Sequence, residues 1–169
     1  MLEAFKRVTP GWWKWLGWSV IVVILDQLTK QMIVARFQYG EVHFVTSWFN
    51  LVLAHNTGAA FSFLANAGGW QRGFFITVTL IITGVLLWML RDHKGNRWMA
   101  LALALVIGGA IGNLIDRVLY GYVVDFVQWH AGGYHWPAFN VADSAISLGA
   151  VMLVVDSFRQ PQTDTAKSG

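Results

Sequence analysis

The sequence predicts an all-α polytopic membrane protein: four transmembrane helices, with short strands and a short amphipathic interfacial helix on one membrane face. Three observations lead there. Hydrophobic residues make up 56% of the chain and charged residues only 12%, too little polar surface for a soluble domain of this size. Long stretches carry no charge at all: Gly73 to Leu90 and Trp98 to Ile115 lack Asp, Glu, Lys, Arg and His. Each would extend roughly 27 Å at about 1.5 Å per residue, close to the thickness of a hydrocarbon core. Finally, the basic residues sort by membrane side. Lys6, Arg7 and Lys14 precede the first span, Arg91, Lys94 and Arg97 join the second to the third, and Arg159 and Lys167 follow the fourth. That leaves Lys30, Arg36, Arg72 and Arg117, so the larger group faces the cytoplasm with both chain ends.

Taken in order, the first span covers residues 15–35 and is interrupted only by Asp26 and Lys30. A basic stretch followed by an apolar run also begins a secretory signal. Here Asp26, Gln27 and Lys30 stand where small cleavage-site residues belong, so an uncleaved helix is expected. The outer segment 36–72 opens with β-branched and aromatic residues in local alternation (Val42, Phe44; Leu51, Leu53), which predicts short strands. After His55-Asn56-Thr57-Gly58, residues 59–64 read as the amphipathic helix. The second span covers 73–90, a cytoplasmic loop 91–97, and the third span 98–119. Segment 120–140 is apolar and aromatic with a Gly132-Gly133 turn, and is expected to dip into the interface. The fourth span covers 141–158, with Asp143 near its start and Asp156 near its end; the tail 160–169 reads as disordered. Tryptophans mark both boundaries: Trp12, Trp13, Trp15, Trp88 and Trp98 inside, Trp48, Trp70, Trp129 and Trp136 outside. The length, 169 residues, fits a single domain.

A net charge of +3 without a basic run or stripe argues against a nucleic-acid partner. The absence of cysteine removes disulfides, thiol nucleophiles and thiolate metal sites.

Polar groups at membrane depth carry the functional reading, because an acid near a helix centre costs roughly 2.5–3.5 kcal/mol. Asp26, Asp116, Asp125 and Asp143 all fall in the outer half or at its rim. Asp26 and Lys30, four apart with the acid first, form a pair on one helix face, and a structural ion pair explains them best. Asn113, Asp116 and Arg117 follow Gly108 and Gly112, a small-residue face that lets another helix approach. Asn113 is placed to help hold the Arg117 guanidinium. The cluster reads equally as helix packing and as the lining of a polar cleft, where Arg117 would orient a peptide carbonyl or a carboxylate. Asp143 has a structural competitor as well: with Asn140 as N-cap it takes the third helical position, where an acid is favoured. Asp125 has none. It stands in Val123-Val124-Asp125-Phe126-Val127 with no neighbouring cation and no helix start to serve. Two carboxylates brought together share a proton and activate water as acid and base.

Other chemistries fare worse. The five histidines show no HExxH spacing, Ser144 has no nearby base and no G-x-S-x-G turn, and no glycine stretch forms a phosphate loop.

Four blocks, in order and with fitting spacing, resemble the bacterial lipoprotein signal peptidases (signal peptidase II): Asn56-Thr57-Gly58-Ala59-Ala60-Phe61-Ser62, Gly108-Gly109-Ala110-Ile111-Gly112-Asn113-Leu114-Ile115-Asp116-Arg117, Gly121-Tyr122-Val123-Val124-Asp125-Phe126, and Phe139-Asn140-Val141-Ala142-Asp143-Ser144. With Asp26-Gln27-Leu28-Thr29-Lys30, the likeness covers essentially the whole chain. The resemblance implies an aspartyl endopeptidase of the bacterial inner membrane that removes signal peptides from prolipoproteins just before a diacylglyceryl-modified cysteine. By the family motif Asp125 and Asp143 would form the catalytic dyad. Asn56, Asn113, Arg117 and Asn140 would line the site, with Asp26, Lys30 and Asp116 in support. It also implies a small extracytoplasmic β-structured cradle and a mobile outer helix over the cleft, at residues 37–66. Prolipoproteins and membrane lipids are the expected partners, and neither cofactor nor metal is expected. Activity as a monomer is expected too, with the site near the extracytoplasmic face.

The chemistry that follows is acid–base hydrolysis, one ionised aspartate taking a proton from water while the protonated one donates to the scissile carbonyl. Asp143, at a helix start, is the better candidate for the ionised member. A rival from another class is a small proton-coupled carrier with the four aspartates as a relay; against it, the acids cluster at one face.

Overall fold

The computed structural model describes residues 8–58 and 68–159. The expected amphipathic helix at 59–64 and the tail at 160–169 lie outside them. A single 3-10 turn, Trp12–Trp15, leads into α1, Leu16–Val34. Two strands follow, β1 at Val42–Phe44 and β2 at Phe49–Asn56, then α2, Trp70–Arg91, and α3, Arg97–Leu119. Strands β3, Val123–Ala131, and β4, Tyr134–His135, precede α4, Val141–Arg159. Among the described residues four helices are long and apolar enough to cross a membrane.

The helix α3 is the hub and packs against α1, α2 and α4. Its small residues make this possible. A Cβ on Gly108 would meet the backbone of Ser19 at 2.8 Å, and one on Gly112 would meet the Asp26 carboxylate at 2.7 Å. Gly109 lies directly under the Ala142 carbonyl of α4, and Gly149 of α4 under Ala102. The anticipated small-residue face of α3 thus meets α1, and a second, carrying Gly109, meets α4. In α1 the buried positions are Ser19, Val22, Asp26, Lys30 and Ile33, one helical stripe that is mostly polar. Its lipid-facing side exposes Ile21, Ile24, Leu25 and Leu28. That is the inverse of a soluble amphipathic helix, as an apolar solvent requires.

All four strands form one antiparallel sheet in the order β1-β2-β3-β4. The strands expected at 42–44 and 51–53 are present. Segment 120–140, for which no strand was expected, forms the sheet's longest strand plus a hairpin. Its turn at Gly132 and Gly133 has φ of 56° and 84°. The pairing partner lies some seventy residues away in β2, which local pattern does not reveal. A register shift between Leu51 and Ala54 marks a bulge in β2, after which Ala54 opposes Asp125. Because side chains alternate, Asn56 then shares a face with Ala54 and hence with Asp125. Backbone bonds between Val127 and Phe139 (2.8 and 3.0 Å) fold the approach to α4 against β3. Asn140 is thereby brought beside Asp125.

Candidate active site

Three elements deliver the site. The bulged β2 aims Asn56 at Asp125, whose Oδ2 accepts from the Asn56 amide at 3.1 Å. The start of α4 supplies Asn140 and Asp143 as a reciprocal cap: the Asp143 amide donates to Asn140 Oδ1 (2.8 Å), and the Asn140 amide donates to Asp143 Oδ2 (3.3 Å). Helix α3 supplies Asn113, which donates to Asp143 Oδ1 at 2.7 Å.

Asn140 joins the two acids. With its oxygen committed to the Asp143 amide, its Nδ2 donates to Asp125 Oδ1 at 2.7 Å and to Asn113 Oδ1 at 3.2 Å. Asn113 Oδ1 also accepts from Lys30 at 3.0 Å. Asp125 and Asp143 therefore belong to one continuous amide network. The capping role of Asp143 and its place beside Asp125 are compatible, since backbone and side-chain donors reach different oxygens.

Asp125 is 3% exposed. Burial, reinforced by the charge of Asp143, pushes its pKa up to about 7, against the hydrogen bonds from Asn56 and Asn140 and the charge of Lys30. Asp125 is thus able to hold a proton near neutral pH.

Behind this lies a buried ionic hub. Lys30 contacts Asp26 at 2.7 Å and Asp116 at 2.9 Å, all three at most 1% exposed. Each acid also fixes a neighbouring element. Asp26 accepts from the Ala142 amide of α4 (2.9 Å), and Asp116 from the Val124 amide of β3 (3.0 Å). The pair expected within α1 is real, but it is a triad that locks α1, α3, α4 and the sheet together. Gln27, to which the sequence reading gave no role, completes it by donating to Asp116 at 2.8 Å and to the Gly112 carbonyl at 3.2 Å. Its signal was present: an amide at membrane depth beside two charges.

Asn113 does not hold Arg117 as expected. Its side chain serves Lys30, Asn140 and Asp143, and only its backbone carbonyl accepts from Arg117, at 3.4 Å. Tertiary partners outcompete the neighbour four residues on. The Arg117 guanidinium donates instead to the Gly58 carbonyl at 2.8 Å.

A cleft of about 560 Å³ opens onto Asn56, Asn113, Arg117 and Asp143. Its far wall is apolar, with Trp129, Trp136, Pro137, Phe139 and Ile146 beside Ser144 and Ser147. Sequence reading placed the two tryptophans at the boundary but not in a cleft, since facing β3 to α4 depends on the Val127–Phe139 bridge. Ser144 donates to the Asn140 carbonyl within its own helix turn. His55 stacks between Tyr39 and Tyr122, ring centroids 4.6 and 3.9 Å away.

Known proteins resemble this chain in sequence and fold. The family described as signal peptidase (SPase) II matches residues 18–159. The lipoprotein signal peptidase of Ralstonia nicotianae is 56% identical over 146 residues, covering 86% of this chain and 84% of the relative. That of a Janthinobacterium species is also 56% identical, covering 86% and 88%, and that of Cupriavidus taiwanensis 53%, covering 86% and 83%. A bacterial membrane enzyme solved by the in meso method at 2.3 Å resolution superposes with a TM-score of 0.80 at 32% identity, over 97% of this chain and 98% of that one. A second, at 1.9 Å, gives 0.76 at 33%, over 95% and 98%. The four-helix, one-sheet chain belongs to the signal peptidase II family.

Proposed function

We propose that this protease works as an aspartyl endopeptidase, with Asp125 and Asp143 as the dyad. It removes signal peptides from prolipoproteins just before a diacylglyceryl-modified cysteine. The observation that carries this reading is the single amide network linking Asp125, on a strand, to Asp143, at a helix start, beside a cleft with one polar and one apolar wall.

Asp125 holds the proton and Asp143 is ionised. Asp143 takes a proton from water as the oxygen attacks the scissile carbonyl, and Asp125 gives its proton to the carbonyl oxygen, forming a tetrahedral diol. Collapse breaks the C–N bond, and the leaving amine receives a proton from Asp143 while Asp125 is reprotonated from the diol. Asn56, Asn113 and Asn140 hold the carboxylates in register, and Arg117 orients the peptide. The apolar wall suits a lipidated signal peptide. Asp26, Lys30 and Asp116 support from behind. Such an enzyme acts as a monomer in the inner membrane, both chain ends cytoplasmic and the cleft near the outer face. A proton relay through four aspartates is disfavoured, because Asp26 and Asp116 are committed to Lys30.

The test uses purified protein and a diacylglyceryl-modified precursor. Asp125→Asn and Asp143→Asn should each abolish signal-peptide release, and the double variant should be little worse than either, since residues acting as one unit are not additive. Substantial turnover by either single variant would sink the dyad.

A further inference from the structure

Arg72 sits where two rules disfavour a cation. It lies in the first turn of α2, at the positive end of that helix's dipole, and it belongs to the minority of basic residues at the sheet end of the bundle. Its side chain is exposed, yet its guanidinium is bonded to another helix. Nε donates to the Arg117 carbonyl at 2.9 Å and Nη2 to the Val118 carbonyl at 2.8 Å. Carbonyls in the last turn of a helix run short of intrahelical donors, and although the Arg117 carbonyl also accepts from the Gly121 amide at 3.2 Å, a residue wrong for α2 adds two donors to the end of α3. Gly121, at φ 84°, turns the chain out of α3 alongside this guanidinium, 3.6 Å from where its Cβ would be.

The residue whose carbonyl is held is Arg117. One turn along α2, the Phe75 ring lies beneath the Arg117 guanidinium, 5.2 Å from ring centroid to Cζ. So α2 grips Arg117 twice, at the backbone through Arg72 and at the side chain through Phe75. With Nη1 on the Asn113 carbonyl and Nη2 on the Gly58 carbonyl, the Arg117 Nε is buried without a partner among the described residues, and Arg117 lines the cleft. A buried N–H without a partner calls for a reason, and at a residue lining a cleft a ligand acceptor supplies one.

We propose that Arg72 is a positioning residue for the peptidase reaction. By fixing the last turn of α3, it sets where the free Nε of Arg117 meets a substrate carbonyl. This rests on the reading of Arg117 as substrate-facing. Arg72 touches neither the dyad nor the cleft, so its effect on turnover passes through Arg117.

A double-mutant cycle on the intact enzyme with lipidated precursor separates the possibilities. Arg72→Ala should accumulate as folded protein and lose on the order of ten- to a hundredfold in kcat/KM, as misplaced orienting groups do. In an Arg117→Ala background the same change should cost less than about twofold. If Arg72→Ala fails to accumulate, Arg72→Gln, which keeps an amide NH2 but not the forked guanidinium, carries the same comparison. Full activity of the Arg72 variant, or losses that multiply in the double variant, would overturn the inference while leaving Arg117 as a substrate-facing residue. Undiminished activity of Arg117→Ala alone would overturn both.

Discussion

Asp125 accepts hydrogen bonds only from side-chain amides among the described residues, and that has consequences for pH. Its carboxyl, pushed up to about 7 chiefly by burial, stays protonated while an unfolded chain ionises near 3.8. Between those values the unfolded state sheds a proton that the folded state keeps, so stability falls as pH rises. The cost is absent below about pH 4 and complete above about pH 7, on the order of 4 kcal/mol. Thermal unfolding of purified protein should therefore show a lower Tm at pH 8 than at pH 5, and Asp125→Asn should flatten that difference. An equal drop in the variant would place the titrating group elsewhere. On the proposed mechanism, turnover of the unaltered enzyme should decline through the same upper range, as Asp125 loses the proton it is to donate. Asp125 was legible in the sequence because nothing nearby neutralised it. Partnerships were not. The spacing of Asn113 and Arg117 describes one helix, while Lys30 and Asp143, from other helices, take the amide.

At the scale of elements, apolar runs long enough to span a bilayer announce themselves, and α1 to α4 depart from the expected spans by only a few residues at their ends. Strand β3 was hidden because Val123 to Phe126 are buried without alternation, so period two is lost. The bulge in β2 was hidden too, since it exists only relative to β3. Helix contacts follow glycines more sharply than a small-residue motif conveys. A Cβ on Gly109 would strike the Ala142 backbone and lie 2.7 Å from Ile146, next to the amide that anchors Asp26. A Cβ on Gly84 would meet nothing within 4 Å. Gly109→Val should therefore push α4 off α3 and cost more than the usual ~1–3 kcal/mol of overpacking, with loss of folded protein. Gly84→Ala should be neutral or stabilising by up to about 1 kcal/mol, from helix propensity. Melting temperatures of the two proteins in detergent check both. A Gly109→Val variant as stable as the parent would mean that α4 does not pack on α3 this closely.

For the whole molecule, the ends of the helices decide where the proposed dyad sits. The contacts of Asp116 with Lys30 and Val124, and of Asp26 with Ala142, put the C-terminal ends of α1 and α3, the start of α4 and the sheet at one end of the bundle. The loop between α2 and α3, with Arg91, Lys94 and Arg97, lies at the other end. Three of the four basic residues that dissent from the charge rule are structurally engaged at the sheet end. Lys30 is buried between two carboxylates, Arg117 is bonded to Gly58, and Arg72 caps α3. Cations tied up in this way have a local reason for being where they are. With them set aside, the charge asymmetry between the two ends is sharper than a plain count conveys, and it favours the loop end as cytoplasmic. Reporter tags at the N-terminus, near Lys94 and after Gly169 should all read cytoplasm, and tags near Glu41 and at the Gly132 turn should read outside. The Gly132 tag is the decisive one, because that hairpin continues directly from Asp125 along β3. A cytoplasmic reading there would put the dyad on the side opposite to the one proposed, and the topology would have to be abandoned.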